Sequence, residues 1–177
     1  MAEIDLVDCE RENPAAPLEV EIRGLILDPV SNTPIVILKK AGENLFLPIW
    51  IGVFEANAIA LQLEGVATPR PMTHDLLRAA IAALGGRVNE ITVHSLVEST
   101  FHARVTLSDA SGQTHEIDAR PSDAIALALR CGSPIRVAPE VFRDAHALDF
   151  AADEDQDARL REWLEALTPE QLGRYKM

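Results

Sequence analysis

The chain has 177 residues, of which 47% are hydrophobic, and a formal net charge of −12. This length and hydrophobic content predict one main globular domain rather than a disordered chain. No run of about 18 apolar residues occurs, and the acidic start lacks the basic-then-apolar pattern of a secretory signal. We therefore expect a cytoplasmic protein without a membrane span. The two cysteines, Cys9 and Cys131, suggest neither a disulfide framework nor a metal motif.

The negative charge is concentrated at the two ends of the chain. Residues 1–21 carry seven acids and one base, and residues 140–177 carry ten acids and five bases. Residues 22–139 carry eleven acids and ten bases, which is a net charge of −1. Because nucleic-acid affinity depends largely on Lys and Arg neutralising phosphates, the total charge argues against a nucleic-acid partner. The near-neutral middle still leaves room for a local basic patch.

The first part of the chain predicts three strands, at residues 18–27, 34–38 and 45–51, separated by turn-forming residues. The first two read as a hairpin. Pro48 is compatible with the third strand only at a sheet edge or a bulge.

Two helices are predicted next. Residues 53–63 place Phe54, Ala58 and Leu61, together with Ile59, on one apolar stripe. Thr73 can cap a second helix, which ends at Gly85-Gly86. The apolar residues that share a face of this second helix are Leu76, Leu77, Ala80, Ile81 and Leu84.

The period then changes to two over residues 87–119, which predicts an antiparallel meander with one buried face. Alternation places Ile91, Val93, Ser95 and Val97 on one side of its first strand. A helix follows from Pro121 to Cys131, and then a short strand at residues 135–137 and a short helix within 139–150.

These elements predict an α+β fold with a mixed, largely antiparallel sheet, packed helices and a C-terminal amphipathic helix. We divide the chain into an acidic leader (1–17), the main domain (18–145), an acidic linker (146–157) and a helical tail (158–177). The tail repeats apolar residues at helical spacing, namely Leu160, Trp163, Leu164 and Leu167. Docking of this helix on its own core is favoured over docking on a partner chain.

No Walker loop, GxGxxG, HExxH, CxxC or GxSxG motif occurs. Polar residues at the ends of elements are the remaining candidates. At the start of the second helix, His74 and Asp75 could act as general base and metal ligand. Helix capping is the favoured interpretation of Thr73 and Asp75, which leaves His74 as the better functional candidate.

The segment DARPSD, residues 118–123, places two carboxylates and an arginine around a strand-to-helix turn. Asp118 and Asp123 could hold Mg²⁺ or Mn²⁺ while Arg120 and Ser122 contact a phosphate. An ion pair that locks the turn, with Ser122 or Asp123 as helix cap, is about equally favoured. Glu55 is either a third acidic ligand or a favourable charge at a helix N-terminus, and the second interpretation is preferred.

Two further groups of residues have weaker functional interpretations. His94, His102 and His115 lie on neighbouring predicted strands, where solvent-facing imidazoles are favoured over a metal site. Phe46 and Trp50 are interpreted as core or interface residues rather than as a platform for base stacking.

The ordered strings GLILDPVSNTPIVILK, LPIWIGVFEANAIALQLEG, RPMTHDLL and EIDARPSDAIALALR resemble the bifunctional nuclease domain over about residues 18–142. The resemblance implies an α+β fold, frequent homo-oligomers and nuclease activity toward RNA and DNA in plant members. The family's polar motif positions correspond here to Glu55, His74, Asp75, Asp118, Arg120, Ser122 and Asp123.

The leading hypothesis is a divalent-metal-dependent nuclease that hydrolyses RNA or DNA. In it Asp118 and Asp123, with Glu55, hold Mg²⁺ or Mn²⁺, His74 takes the proton of the attacking water, and Arg120 steadies the phosphate. The catalytic set comprises His74, Asp75, Asp118 and Asp123. A homo-oligomer is expected, with a dimer favoured. The alternative is a non-catalytic oligomeric binding or regulatory module, whose polar motifs are turn locks and interface contacts.

Overall fold

The computed structural model describes residues 16–29, 31–145, 147–149 and Glu162. Within them, eight strands run over Leu18–Leu27 (β1), Pro34–Lys40 (β2), Leu45–Trp50 (β3), Arg87–Val97 (β4), Thr100–Ser108 (β5), Thr114–Ala119 (β6), Ile135–Val137 (β7) and Leu148–Asp149 (β8). The helices span Val53–Leu63 (α1), Thr73–Ala83 (α2), Pro121–Cys131 (α3) and Pro139–Asp144 (α4).

The strands form one sheet in the order β6-β5-β4-β7-β1-β2-β3-β8. Every neighbouring pair is antiparallel except β4 and β7, which run parallel. The helices pack against this sheet, and the prediction of an α+β fold with a mixed, largely antiparallel sheet is confirmed. None of the helices in the described ranges is long and apolar enough to cross a membrane.

The core lies between the sheet and the helices. Helix α3 is buried almost throughout, because it packs against β4 and β5 and also contacts α1 and α2. Phe46 and Trp50 are also buried, but they alternate along β3 with the core residues Leu47 and Ile49 and therefore lie on the opposite face of the sheet. Trp50 Nε1 donates a hydrogen bond to the buried Asp28. At Pro48, strand β3 is an edge strand, because β8 pairs only with Leu45 and Phe46 and β2 alone lies beside Pro48. An edge position of this kind tolerates a residue without a backbone N–H.

Two predicted apolar faces are only partly confirmed. In α1, Ala58 and Ile59 are buried as predicted, together with Ala56, whereas Phe54 is 88% exposed. In α2, Leu76, Leu77 and Leu84 are exposed, and Ile81 is partly buried against the core. Helical spacing identifies which residues share a face, but it does not decide whether another element covers that face.

The meander is confirmed, with two differences. A bulge between Val93 and Ser95 inserts one residue, which reverses the alternation, so Val97 is exposed and Leu96 packs toward the core. Strand β6 is an edge strand that is exposed along nearly its whole length, so the predicted buried face does not extend to it.

Strand β8 pairs with β3 at Leu45 and Phe46, so the sheet continues into the range 146–157 that was predicted to be linker. The short helix that was predicted within residues 139–150 is α4, which spans only Pro139–Asp144. The predicted leader, Cys9 and the tail helix lie outside the described residues, apart from residues 16–17 and Glu162.

Candidate active site

Four of the predicted residues come together, and we call them the His74 cluster: His74, Asp123, Arg120 and Glu55. His74 Nε2 lies 3.2 Å from Asp123 Oδ1. Arg120 Nε donates to Asp123 Oδ2 at 2.8 Å, and Arg120 Nη2 donates to Glu55 Oε1 at 2.8 Å. A continuous chain of polar contacts therefore joins residues that are up to 68 positions apart in the sequence.

The cluster forms where the first turns of three helices meet. Glu55 is the third residue of α1, His74 the second residue of α2 and Asp123 the third residue of α3, and Arg120 immediately precedes α3. The Arg-Pro junction favours this arrangement, because proline supplies a helical φ at the first position of α3 and needs no hydrogen-bond acceptor there. Three helix N-termini give a positive local potential, which favours the two carboxylates and other anions.

The cluster lines a cleft of about 400 Å³, together with Phe54, Asn57, Ala58, Met72 and Thr73. The exposed fraction of the side chain rises from 11% for His74 to 35% for Asp123 and 54% for Arg120. A polyanion that enters the cleft therefore meets Arg120 first and reaches the imidazole behind it.

The bonding of the cluster sets the chemistry that each group can perform. When His74 is neutral and its Nε2–H donates a hydrogen bond to Asp123, the other ring nitrogen, Nδ1, is free to accept a proton. Asp123, and after it Glu55, raises the pKa of Arg120 above its ordinary value. Arg120 has five N–H groups, and two of them are used by the carboxylates, so three are left for a phosphate.

Asp75 lies outside this cluster. Its carboxylate accepts a hydrogen bond from Met72 N at 2.9 Å and pairs with Arg130 Nε at 2.7 Å. The Met72 bond, and to a smaller extent Arg130, lowers the pKa of Asp75. The capping interpretation of Asp75 is confirmed, whereas Thr73 is not the cap: it is the first helical residue and Met72 occupies the cap position.

Asp118 and Ser122 are not brought into the cleft. Asp118 is exposed on β6, and no hydrogen bond or ion pair joins it to the described residues of the His74 cluster. Ser122 is 2% exposed and lines a separate cavity of about 40 Å³. Neither side-chain cap predicted for α3 is present, since Arg120 takes the cap position without a side-chain hydrogen bond.

The predicted metal ligands are therefore not assembled as a set. Among the residues with described positions, no group of three or more His, Cys, Asp or Glu is arranged to hold a metal ion. In the His74 cluster, the guanidinium of Arg120 lies between the carboxylates of Glu55 and Asp123, where a bridging cation would have to sit.

The three strand histidines are dispersed over the meander. His94 and His102 have ring centroids 6.4 Å apart and are partly buried. Burial, and after it Arg104, lowers the pKa of His94. His115 is exposed and bonds Asp109 at 2.9 Å. Only His115 matches the predicted solvent-facing position.

Two residues to which the sequence analysis assigned no functional role shape this region. Phe54 projects at the rim of the cleft, next to Glu55 in sequence. Arg130 is 7% exposed and bonds Asp75, Ala126 O and Ala58 O, so that it ties α1, α2 and α3 together. The sequence does contain a signal for Arg130, which is the one charged residue in the apolar run AIALALR. A charged side chain that is buried with such a run requires partners.

Comparisons with known proteins agree with the sequence motifs. The family model for the bifunctional nuclease domain matches residues 36–149. An uncharacterized protein of Mycobacterium tuberculosis is 38% identical over 161 residues, which are 86% of this chain and 96% of that protein.

Two plant proteins are more distant relatives. Bifunctional nuclease 1 of Oryza sativa subsp. japonica is 27% identical over 112 residues, and Bifunctional nuclease 1 of Arabidopsis thaliana is 28% identical over 116 residues. These alignments cover 62% and 64% of this chain but only 34% and 36% of the plant proteins. The chain belongs to the bifunctional nuclease domain family.

Proposed function

We propose that this protein is a phosphodiester hydrolase that cleaves RNA, DNA or both, with the His74 cluster as its active site. The observation that carries the proposal is the convergence of a histidine–carboxylate pair and an accessible arginine in one cleft. The names of the plant relatives supply the reaction class, and the geometry supplies the residues.

In the proposed reaction, His74 acts as the general base. Asp123 holds Nε2, and Nδ1 takes a proton from an attacking water. The water oxygen bonds to phosphorus, the P–O ester bond breaks, and the leaving oxygen is protonated by solvent, which gives a phosphate monoester and an alcohol. The Asp123 carboxylate stabilises the imidazolium that forms.

Arg120 is proposed to bind the scissile phosphate. Its three remaining N–H groups can bond the non-bridging oxygens, where negative charge accumulates in the transition state. The ion pairs to Asp123 and Glu55 fix the orientation of the guanidinium before the substrate arrives. Glu55 is thereby a positioning residue.

The cleft offers one surface for a nucleobase. Phe54 is exposed at the rim, and an aromatic ring stacks with any base, typically contributing about 1–3 kcal/mol per base. Such binding is tolerant of sequence and of the sugar, which fits a nuclease that accepts both RNA and DNA.

The decisive experiment is cleavage of labelled single-stranded RNA and DNA by the purified full chain, its Asp123→Asn variant and its Asp118→Asn variant. Both substitutions remove one carboxylate charge, but only Asp123 lies in the cluster. We expect cleavage to be lost in Asp123→Asn and kept in Asp118→Asn. Equal activity in all three proteins would exclude the proposed site.

Dependence on Mg²⁺ or Mn²⁺ remains a prediction, and the same assay with either metal or with EDTA tests it. Full activity in EDTA would remove the metal from the mechanism. Loss of activity in both EDTA and Asp118→Asn would favour a metal site that includes Asp118 over the metal-free cluster.

The alternative is a non-catalytic oligomeric binding or regulatory module in which Glu55, Arg120 and Asp123 only lock α1 to α3. Arg120 is half exposed, and exposed ion pairs contribute about 0–1 kcal/mol. This alternative predicts that neither the wild-type protein nor an Arg120 variant cleaves nucleic acid above background. We further propose a homo-oligomer, with a dimer favoured, because α2 exposes Leu76, Leu77 and Leu84.

A further inference from the structure

A second cavity lies toward the C-terminal end of α2, whereas the cleft lies at its N-terminal end. It has a volume of about 540 Å³, within the range typical of small-molecule sites. The second half of α2, the start of β4 and the end of α3 form its walls, and its lining shares no residue with that of the cleft. We call it the arginine cavity.

The charge of the arginine cavity is opposite to that of the chain. Arg78, Arg87 and Arg130 line it, and none of its described lining residues is Asp or Glu, although the chain carries a net charge of −12. Arg130 has its charge paired by Asp75 and its other groups bonded to backbone carbonyls. The positive charge available to a ligand therefore comes from Arg78 and Arg87.

Neutral acceptors hold these two arginines in place. Arg78 Nη1 donates to the carbonyl of Arg130 at 3.1 Å, and Arg87 Nε donates to Asn89 Oδ1 at 3.3 Å. A carbonyl or amide oxygen orients a guanidinium without neutralising it, although Arg78 also lies close enough to the Asp75 carboxylate to contribute to the lowered pKa of Asp75. Each arginine keeps four further N–H groups, which are enough for a bidentate hydrogen bond to an oxyanion.

The remaining walls suggest what accompanies the anion. Ile81, Val88 and Pro134 give an apolar side, and Ser133 lies beside them. Arginine pairs favour the oxygens of phosphate, and an apolar wall accepts the face of a sugar or base. We propose that the arginine cavity is a second anion site, which binds the phosphate of a nucleotide independently of the His74 cluster.

The test is calorimetric titration of the full chain with AMP, and with adenosine as the ligand without phosphate. The variants are Arg78→Gln and Arg87→Gln, with Arg104→Gln as the matched control, because Arg104 pairs with Glu116 on the surface and lies outside the cavity. Arg120→Gln reports binding in the cleft instead. Circular dichroism confirms that each variant is folded.

We expect AMP to bind more tightly than adenosine, and each cavity variant to weaken AMP by about tenfold or more, as loss of a charge-assisted hydrogen bond does. Arg104→Gln should leave that affinity unchanged. Absence of AMP binding, equal affinity for adenosine, or AMP affinity unaffected by both cavity variants would overturn the proposal, as would an equal loss in Arg104→Gln.

Two sources of the nucleotide phosphate can be distinguished with a phosphorothioate oligonucleotide that resists cleavage. If the cavity holds part of a strand, the oligonucleotide competes with AMP and both are weakened by Arg87→Gln. If it holds a free nucleotide, the oligonucleotide leaves AMP bound. Either result supports the phosphate site, and neither depends on whether the His74 cluster cleaves nucleic acid.

Discussion

His74 Nε2 and Asp123 Oδ1 lie 3.2 Å apart, although 49 positions separate the two residues in the sequence. The contact joins the first turn of α2 to the first turn of α3, and Arg120 extends it to Glu55 on α1. A histidine held by a carboxylate at the back of a cleft, with an arginine in front, is suited to acid–base chemistry on an anionic substrate.

Replacement of His74 by Gln is expected to lower kcat for nucleic-acid cleavage by about 10²–10⁴-fold, the usual contribution of a general base. Glutamine can still bond Asp123, so the fold and the substrate KM should change little. His115→Gln is the control, because that imidazole is exposed and bonds Asp109. A kcat that is unchanged in His74→Gln would exclude His74 as the base.

Replacement of Arg120 by Gln is expected to lower kcat/KM by about 10²-fold or more, because one donor to developing charge in a cleft is typically worth that much. The free energy of unfolding should change by less than about 1 kcal/mol, since the ion pairs are half exposed. Arg120→Lys keeps the positive charge but loses the planar guanidinium that can donate two parallel hydrogen bonds, so it should recover only part of the activity. Denaturant melts and steady-state kinetics measure the two effects separately. A stability loss without a kinetic loss would favour the turn lock.

Replacement of Phe54 by Ala is expected to weaken binding of single-stranded RNA and DNA by about 1–3 kcal/mol, as loss of one stacking surface does. Stability should stay within about 0.5 kcal/mol, because Phe54 is 88% exposed. Fluorescence anisotropy with a labelled oligonucleotide measures the affinity, and Phe54→Trp should retain it. Leu84→Ala, at another exposed apolar position, is the control.

Replacement of Asp75 by Asn is expected to destabilise the protein by about 2–4 kcal/mol, because it leaves the buried Arg130 without its carboxylate and weakens the cap of α2. The folded-state pKa of Asp75 lies below its ordinary value of 3.8. The stabilisation is therefore fully present above that value and is lost as the pH falls through the lowered pKa.

Urea melts between neutral pH and about pH 3 measure this dependence. The wild-type protein should lose stability toward low pH more steeply than the Asp75→Asn variant. Asp118→Asn, which removes an exposed carboxylate, should change stability by about 0.5 kcal/mol or less at neutral pH. Equal acid sensitivity in the wild type and Asp75→Asn would contradict the role assigned to the Asp75–Arg130 pair.

Introduction of charge on α2 tests the proposed homo-oligomer. Leu76→Glu and Leu84→Glu place carboxylates on an exposed apolar face, where a subunit interface would bury them and the monomer would not. Light scattering coupled to gel filtration should show an oligomer for the wild type and a smaller species for the variants. A wild-type mass of 19.3 kDa would exclude the oligomer under the conditions used.

The sequence predicted the strands and helices well where local signals are strong. The alternation and turn residues identified β1 to β3, and Pro121 and Gly132 marked the two ends of α3, where Gly132 adopts the left-handed conformation that favours glycine. The unusual strings RPMTHDLL and DARPSD also identified the segments that contain His74, Arg120 and Asp123. These features are short-range, so neighbouring residues suffice to specify them.

The tertiary structure decided which of these residues meet. Asp75 and His74 are adjacent in sequence, yet successive positions on a helix point about 100° apart, so one binds Arg130 and the other Asp123. Asp118 and Asp123 flank one turn, but Asp118 remains on the exposed edge strand. The sequence by itself determined the helix ends and the polar motifs. The packing of α1, α2 and α3 selected which polar residues form the cluster, namely Glu55, His74, Arg120 and Asp123. Contacts between such distant segments depend on how the helices are placed on the sheet.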